Sequence, residues 1–112
     1  MVEVREFTVV EYVTENGKCP FRDWLEKLDD KRAKARIDAR LVSIRLGNFG
    51  DAKPIVGGKG VKELRVNYGP GYRIYFAFEG NRLVVLLIGG DKSSQDSDVR
   101  KAKRYWDQYQ AR

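Results

Sequence analysis

Two arginines, Arg65 and Arg73, are the residues whose type and spacing most directly suggest chemistry in this chain of 112 residues. They flank the turn signal NYGPG at residues 67–71, and a hairpin folded about Gly69 places one opposite the other. Like charges facing each other across a strand pair are destabilising, unless the two guanidiniums share an anion. Because the planar arginine fork binds two phosphate oxygens at once, this pair predicts a site that handles phosphate.

Three other kinds of side chain join the arginines in the predicted site. Glu63 has the same strand parity as Arg65, and it is either a general base or the ion-pair partner that neutralises Arg65. Lys92, which leaves the end of a neighbouring strand, is a candidate proton donor to a leaving oxygen. Tyr75 or Tyr68 offers a ring on which an RNA base can stack.

The composition argues against several other chemistries. The chain has no histidine and a single cysteine, Cys19, so it has no thiol–histidine pair and no recognisable set of metal ligands. The GGKG segment at residues 57–60 lacks the strand, spacing and following helix of a P-loop. We therefore expect no metal and no other cofactor. RNA brings its own nucleophile, the 2′-hydroxyl, so positioning, charge stabilisation and proton transfer are nearly all that such a site needs.

Charge and hydropathy restrict the kinds of partner and the cellular location that we expect. The net charge of +6 predicts an anionic partner, either nucleic acid or an acidic protein segment. No N-terminal run resembles a signal peptide, and the longest apolar run, at residues 83–88, is only strand-sized. We expect a cytoplasmic protein with no membrane partner, which the lone cysteine fits. The length, with no linker or repeat, predicts one domain over residues 1–112.

A strand and two helices are expected before the arginine hairpin. Residues 2–14 are rich in Val, Phe, Tyr and Thr and predict a strand. Pro20 opens a short helix, and a second helix is predicted from about residue 31 to residue 46 after the capping pair at residues 29–30. Helical spacing predicts a buried stripe on each, formed by Phe21, Trp24, Leu25 and Leu28 on the first and by Ala33, Ile37, Leu41 and Ile44 on the second.

Basic residues beyond the hairpin supply candidate RNA contacts. Arg32, Arg36 and Arg40 follow one another at four-residue spacing beside the second stripe. This ladder is either a solvated face or a docking surface for RNA or for an acidic partner. Lys59 and Lys62 lie around the glycine-rich loop. The predicted RNA-binding set therefore contains Arg36, Arg40, Lys59 and Lys62 in addition to the two tyrosines.

Three strands are expected to form an antiparallel meander, over residues 62–66, 72–78 and 83–88. Alternation predicts that one face of this sheet packs on the helices. The other face carries Arg65, Arg73 and Tyr75 and is expected to be polar and open. The continuously apolar run at residues 83–88 predicts a central strand that is covered on both sides. The segment between the second helix and this meander is expected to be a loop.

A last helix completes the predicted α+β fold. Ser93 and Asp96 have the spacing of a capping box at its start. One face of this helix is apolar, and it consists of Val99, Ala102, Trp106 and Tyr109. The expected architecture is therefore an N-terminal strand, a two-helix hairpin, a three-stranded antiparallel meander and a C-terminal helix packed on one sheet.

This order of elements resembles that of the RelE/ParE toxin superfamily. Residues 63–76 (ELRVNYGPGYRIYF) and 86–106 (LLIGGDKSSQDSDVRKAKRYW) look like its HigB-like branch, whose members are often called addiction module killer proteins. The resemblance covers nearly the whole chain, and GPGYR and GGDKSSQ are its most specific motifs. It implies a single RelE-like domain.

The resemblance implies a toxin of a type II toxin–antitoxin module. RelE- and HigB-like members are ribosome-dependent mRNA endoribonucleases that cut translated mRNA by 2′-hydroxyl attack without a metal, whereas ParE-like members inhibit DNA gyrase. The implied partners are the ribosome with its mRNA and a small helix-turn-helix antitoxin, and operator DNA is reached only through the antitoxin complex. The alternatives are a gyrase inhibitor or other toxin that acts by binding, and a regulatory member that binds only antitoxin and DNA.

The resemblance also assigns roles by position. Arg65 and Arg73 match the basic residues on the family's second and third strands, and Lys92 with Asp91 matches the functional end of the last strand. Glu63 completes the expected catalytic set. This sequence departs from the family pattern in having no histidine, which leaves the general acid and base unassigned.

Overall fold

The computed structural model describes residues 6–112 and folds them into a five-stranded sheet with three α-helices. The elements in chain order are β1 (Thr8–Glu11), α1 (Pro20–Lys27), α2 (Lys31–Arg45), β2 (Ala52–Pro54), β3 (Lys62–Val66), β4 (Tyr72–Glu79), β5 (Leu83–Asp91), a 3-10 turn (Lys92–Ser94) and α3 (Gln95–Gln110). The strand order is β1-β5-β4-β3-β2, in which β1 is parallel to β5 and the other pairs are antiparallel. The predicted α+β class is confirmed.

The N-terminal strand is shorter than the sequence predicted. β1 is four residues long, and the first part of the expected strand, residues 2–5, lies outside the described residues. Beyond β1, the Tyr12 amide still donates to the Leu86 carbonyl (2.9 Å). The chain then reverses, and the Gly17 amide donates to the Thr14 carbonyl (2.9 Å). This turn leads into α1.

Both predicted helices form, and their ends show why. Pro20 stands in the first turn of α1, where its missing N–H is not needed. The Asp30 side chain accepts hydrogen bonds from the backbone N–H groups of Arg32 (2.9 Å) and Ala33 (3.2 Å) and so caps α2. Gly47, with φ +85°, ends α2 in the left-handed region.

No helix among the described residues is both long and apolar enough to cross a membrane.

The first face of the sheet packs on α1 and α2, as expected. All four predicted α2 positions are buried, and in α1 two are buried while the other two pack partly buried against them. Their partners on the sheet are the apolar side chains of one strand parity, namely Leu64, Val66, Ile74, Phe76, Val84 and Leu86. Burial of this apolar face is the main force that holds the helical hairpin in place.

The second face of the sheet is not open, because α3 covers it. Ala102 and Trp106 of α3 are buried against this face, where Tyr75 is also buried. The predicted apolar stripe of α3 is therefore confirmed, and it is buried against an apolar part of the sheet. The prediction of a polar, exposed face is wrong, and the molecule has three layers with the sheet in the middle.

A bulge adapts β5 to both helical layers. The β4–β5 register shifts between the pairs Tyr75↔Ile88 and Phe76↔Leu86, so Leu87 is an extra residue. Leu87 and Ile88 consequently both pack in the α3 layer. The predicted central strand is confirmed, since β5 lies between β1 and β4 and is buried through its apolar run. It extends beyond residue 88 to Asp91.

Two local predictions are corrected. The segment Ala52–Pro54, expected to be loop, is an edge strand paired with β3, where a proline is tolerated. The cap after β5 is formed by Asp91 and not by Ser93. The Asp91 side chain accepts from the Ser93 amide (2.8 Å), and Ser94 completes the capping box. The extension of β5 places Asp91 at the start of the turn.

Gly89 gives a test of the packing between β5 and α1. A Cβ at this position would overlap the indole ring of Trp24. We expect Gly89→Ala to lower the free energy of unfolding by about 1–3 kcal/mol, because overpacking displaces the ring. Urea denaturation measures this loss, and in a Trp24→Leu background the same substitution should be better tolerated. Equal losses in the two backgrounds would contradict the contact.

Candidate functional site

The predicted arginine pair is present, and a glutamate lies between its members. Arg65 in β3 is directly opposite Arg73 in β4. Glu63 Oε1 accepts hydrogen bonds from Arg65 Nε (3.0 Å) and from Arg73 Nε (3.3 Å). We call these three residues the arginine cluster. The expectation that an external phosphate reconciles the two arginines is therefore corrected, because the chain supplies its own carboxylate two residues before Arg65 on the same strand face.

The start of α3 completes and covers the arginine cluster. Gln95, the first residue of α3, donates from Nε2 to Glu63 Oε2 (3.1 Å). The side chains of Arg73 and Glu63 are only 11% and 10% exposed, whereas that of Arg65 is 42% exposed. Arg65 is thus the member of the cluster that presents its charge to solvent.

The protonation of Glu63 follows from these contacts. Burial tends to raise the pKa of Glu63, but hydrogen bonds from Arg65 and Gln95 and the charges of both arginines outweigh burial, so its pKa is lowered. A carboxylate held in this way is a weak base. Of the two roles that the sequence left open, ion-pair partner and general base, the geometry matches the first.

Arg65 opens into a cleft of about 230 Å³ between the segment after β2 and the start of α3. We call this the Arg65 cleft, and its lining consists of Lys53, Pro54, Ile55, Val56, Glu63, Arg65, Gln95 and Val99. The lining combines two cations, one carboxylate and one amide with apolar side chains. Val56 is 94% exposed beside it. This mixed lining suits a ligand with an anionic group joined to a flat, weakly polar one, as in a nucleotide.

Tyr75 is not available for base stacking. Its ring is fully buried under α3, and its hydroxyl has no hydrogen-bond partner among residues 6–112. Burial, with the added charges of Glu63 and Asp98, raises the pKa of Tyr75 far above its usual range. Strand parity placed Tyr75 on the correct face, and the C-terminal helix was expected to pack on the sheet, but its packing on this face was not predicted.

Asp98 is a buried carboxylate that the sequence reasoning did not select. It lies in the first turn of α3, and its Oδ2 accepts a hydrogen bond from Ser94 Oγ (2.5 Å). Burial raises the pKa of Asp98, although that hydrogen bond and the charge of Lys101 oppose the shift. A Cβ on Gly90 would overlap the Asp98 carboxylate. The Gly89-Gly90 pair was the feature of the sequence that could have indicated this buried contact, because glycines in a strand often mark a place where other groups approach the backbone closely.

The two residues at the end of β5 make no hydrogen bond or ion pair with the arginine cluster, although the charge of Arg73 helps to lower the pKa of Asp91. The Asp91 carboxylate is used in the cap, and the hydrogen bond from the Ser93 hydroxyl is the main cause of its lowered pKa. Lys92 is exposed in a shallow depression that neither Arg65 nor Arg73 lines. The structure therefore does not bring Lys92 into the cluster, and its role as a proton donor stays a prediction.

Two arginines of the predicted basic ladder on α2, Arg40 and Arg36, make different kinds of contact. Arg40 is partly buried and donates to the backbone carbonyls of Arg65 (2.8 Å) and Phe49 (2.8 Å), so it is a structural tie and not a free surface cation. Arg36 is exposed, and its guanidinium lies 4.7 Å from the centre of the Tyr68 ring. Two of the predicted RNA-binding residues are thus brought together.

The two lysines of the RNA-binding set lie elsewhere. Lys62 has the parity that faces α1 and α2, and its cross-strand partner is Phe76, so it is on the side of the sheet opposite to Arg65. Lys59 is exposed, and its carbonyl accepts from Trp106 Nε1 (3.1 Å). Trp106 lies three turns along α3 from Gln95, which is about 16 Å. Neither lysine lines the Arg65 cleft.

The chemistry that this arrangement supports is charge stabilisation and positioning. The cluster contains two cations and one anion, and its exposed member is a guanidinium oriented by a carboxylate. Tyr75 is enclosed, and Glu63 is occupied by three donors. Within residues 6–112, no three His, Cys, Asp or Glu side chains lie together as a metal-binding group would.

Comparison with known proteins assigns the chain to a family. Residues 23–107 match the family described as phage derived protein Gp49-like (DUF891). The chain belongs to this family. An uncharacterized protein of Haemophilus influenzae strain Rd is 49% identical over 83 residues, which are 74% of this chain and 82% of that relative. The Gp49-like family is of the addiction-module toxin type and is related to RelE and HigB. The residues matched by the family, 23–107, include the arginine cluster and most of α3.

The two arginines should differ in their contribution to stability. Arg73→Gln leaves the buried Glu63 with less compensation, and we expect it to lower the free energy of unfolding by about 3 kcal/mol. Arg65→Gln removes a half-exposed partner, and we expect a loss of at most about 1 kcal/mol. Urea denaturation at neutral pH compares this matched pair. Equal losses would contradict the burial of Arg73.

Glu63 should make stability depend on pH in a defined direction. Its pKa is lowered in the folded state from an ordinary value of 4.5, so the unfolded chain takes up the proton first. The stability that wild type has over Glu63→Gln should be fully present above pH 4.5 and should disappear as the pH falls below it. Denaturation of both proteins from pH 7 downwards gives this difference. A difference that is constant with pH would show that the carboxylate charge contributes nothing.

Proposed function

We propose that this protein is the cytoplasmic toxin of a type II toxin–antitoxin module and acts as a ribosome-dependent mRNA endoribonuclease of the HigB-like branch. Membership of the Gp49-like family supports the toxin part of the proposal. The observation that carries the nuclease part is the exposed guanidinium of Arg65, held by Glu63 at the mouth of a cleft of nucleotide-like lining. The proposed partners are ribosome-bound mRNA and a helix-turn-helix antitoxin, through which the toxin reaches operator DNA.

The proposed reaction uses the RNA as its own nucleophile. The 2′-hydroxyl oxygen attacks the adjacent phosphorus and loses its proton, while the bond from phosphorus to the 5′ oxygen breaks and that oxygen gains a proton. Arg65 stabilises the charge that develops on the phosphoryl oxygens, and Lys53 adds a second cation on the same cleft. Glu63 is a positioning residue for Arg65. Because the cluster contains no free base, the 2′-hydroxyl proton passes to water or to a group of the ribosome, in keeping with ribosome dependence, and Lys92 is the proposed proton donor to the 5′ oxygen.

A toxin that acts by binding is the second candidate, and one observation favours it. Glu63 already neutralises one of the two arginine charges, and Arg73 is nearly enclosed. Only one of the two arginines that were expected to bind phosphate therefore presents its charge to a ligand. Binding to DNA gyrase, or to another target, does not require that cradle. A gyrase-directed toxin would cause DNA-damage signalling while cellular mRNA stays intact.

Inducible expression followed by mapping of mRNA 5′ ends tests the proposal. Wild type should arrest growth and create new 5′ ends within translated regions, and a purified translation reaction should show cleavage only when ribosomes are present. Arg65→Gln should reduce the yield of these ends on the order of a hundredfold, as expected when a group that stabilises transition-state charge is lost.

Arg82→Gln is the matched control. Arg82 is exposed beyond the far end of β4, away from Arg73, so its replacement should leave cleavage unchanged. Growth arrest without new 5′ ends but with induction of a DNA-damage reporter would move the assignment to the gyrase inhibitor. Absence of arrest, with each variant folded and expressed, would contradict both toxin proposals.

A further inference from the structure

The outer side of α2 carries an apolar line that stays exposed in the part of the chain that the structure describes. Its members are Ala35, Ala39, Val42 and Leu46, and we call them the α2 stripe. All four are exposed, Val42 by 51% and Leu46 by 58%. Their spacing of four, three and four residues places them along one line of the helix, on the side opposite to its buried residues. The stripe is about 16 Å long.

This arrangement makes α2 apolar on two opposite sides. A helix at the surface of a globular protein normally shows one apolar stripe and one polar face, and α1 has that form. Single exposed apolar residues are common and need no explanation. Val42 and Leu46, however, are one turn apart, and two alanines continue the line. The second stripe of α2 therefore has no function within this chain's described fold.

The spacing and sizes in the stripe fit a second helix. Apolar residues that recur after four and three positions form the seam along which two helices pack. Ala35 and Ala39 leave room for large side chains from a partner, whereas Val42 and Leu46 supply large side chains of their own. The first half of the stripe can thus accept side chains of a partner, and the second half can insert its own.

The charges beside the stripe define the partner. Four exposed cations flank it, namely Lys31, Arg32, Arg36 and Arg45, against one acidic residue of α2, Asp38. A second copy of this chain would place these cations against each other, which argues against self-association. An RNA would engage the cations but would gain little from the apolar line between them. An acidic amphipathic helix satisfies both features.

We propose that the α2 stripe is a docking surface for an amphipathic helix of a partner protein, with apolar residues at matching spacing and Asp or Glu on either side of them. This surface lies outside the Arg65 cleft, since no residue of α2 lines that cleft. The inference goes beyond the proposed function and does not depend on nuclease activity.

A pair of synthetic helical peptides tests the proposal with the full-length protein. Both peptides have leucines at the seam positions, and their flanking positions are all Glu in one and all Lys in the other. Titration by fluorescence anisotropy should show that the Glu peptide binds at least tenfold more tightly than the Lys peptide. Val42→Ser combined with Leu46→Ser should weaken the Glu peptide at least tenfold.

The matched control is Val13→Ser, which alters another exposed valine outside α2 and should leave peptide binding unchanged. Equal affinity for the two peptides, or no binding of the Glu peptide, would overturn the proposal. Dimerisation of the protein that disappears in the Val42→Ser and Leu46→Ser double variant would assign the stripe to a second copy. Binding of a single-stranded RNA that is lost in Arg32→Gln but unchanged in the double variant, with no peptide binding, would assign the face to RNA.

Discussion

The contact of one carboxylate with two guanidiniums is the constraint on which this molecule's arrangement depends. Glu63 holds Arg65 and Arg73 across the β3–β4 pair, and Gln95 joins it from α3. Charges taken out of water must be paired and hydrogen-bonded, or the folded state loses several kcal/mol. Burial of the Arg73 side chain where α3 closes over the sheet is therefore tolerated because Glu63 pairs with it, while Arg65 stays partly exposed. The ion cluster and the apolar stripe of α3 together define how that helix sits.

The same contact limits the chemistry that the site can perform. It leaves a single well-oriented guanidinium at the mouth of the Arg65 cleft, and it uses the carboxylate that the sequence had suggested as a base. Such a site is suited to stabilising charge on a phosphate whose reacting groups are aligned by something else. The ribosome-dependent cleavage that we propose has this requirement, because the RNA supplies the nucleophile and the ribosome holds it. Membership of the Gp49-like family gives the proposal its biological setting.

The molecule presents two surfaces with different chemistry. The Arg65 cleft lies at the sheet and the start of α3, and it combines charge with a small apolar wall. The α2 stripe lies on the outer side of the helical hairpin, where apolar residues are bordered by cations. Arg40 links the two regions structurally, because its guanidinium connects α2 to the backbone of Arg65.

The sequence by itself determined the two helices of the hairpin and the pairing of the arginines. Helical spacing and caps placed α1 and α2, and the glycine-proline turn set the register that puts Arg65 opposite Arg73, because both depend on residues close together in the chain. Only the tertiary structure decided which residues reach solvent. The packing of α3 buried Tyr75, the docking of α2 made Arg40 a structural tie, and the contact of Gln95 with Glu63 joined residues far apart in the chain. Parity tells which face of a strand a side chain occupies, but what covers that face depends on contacts between elements distant in sequence.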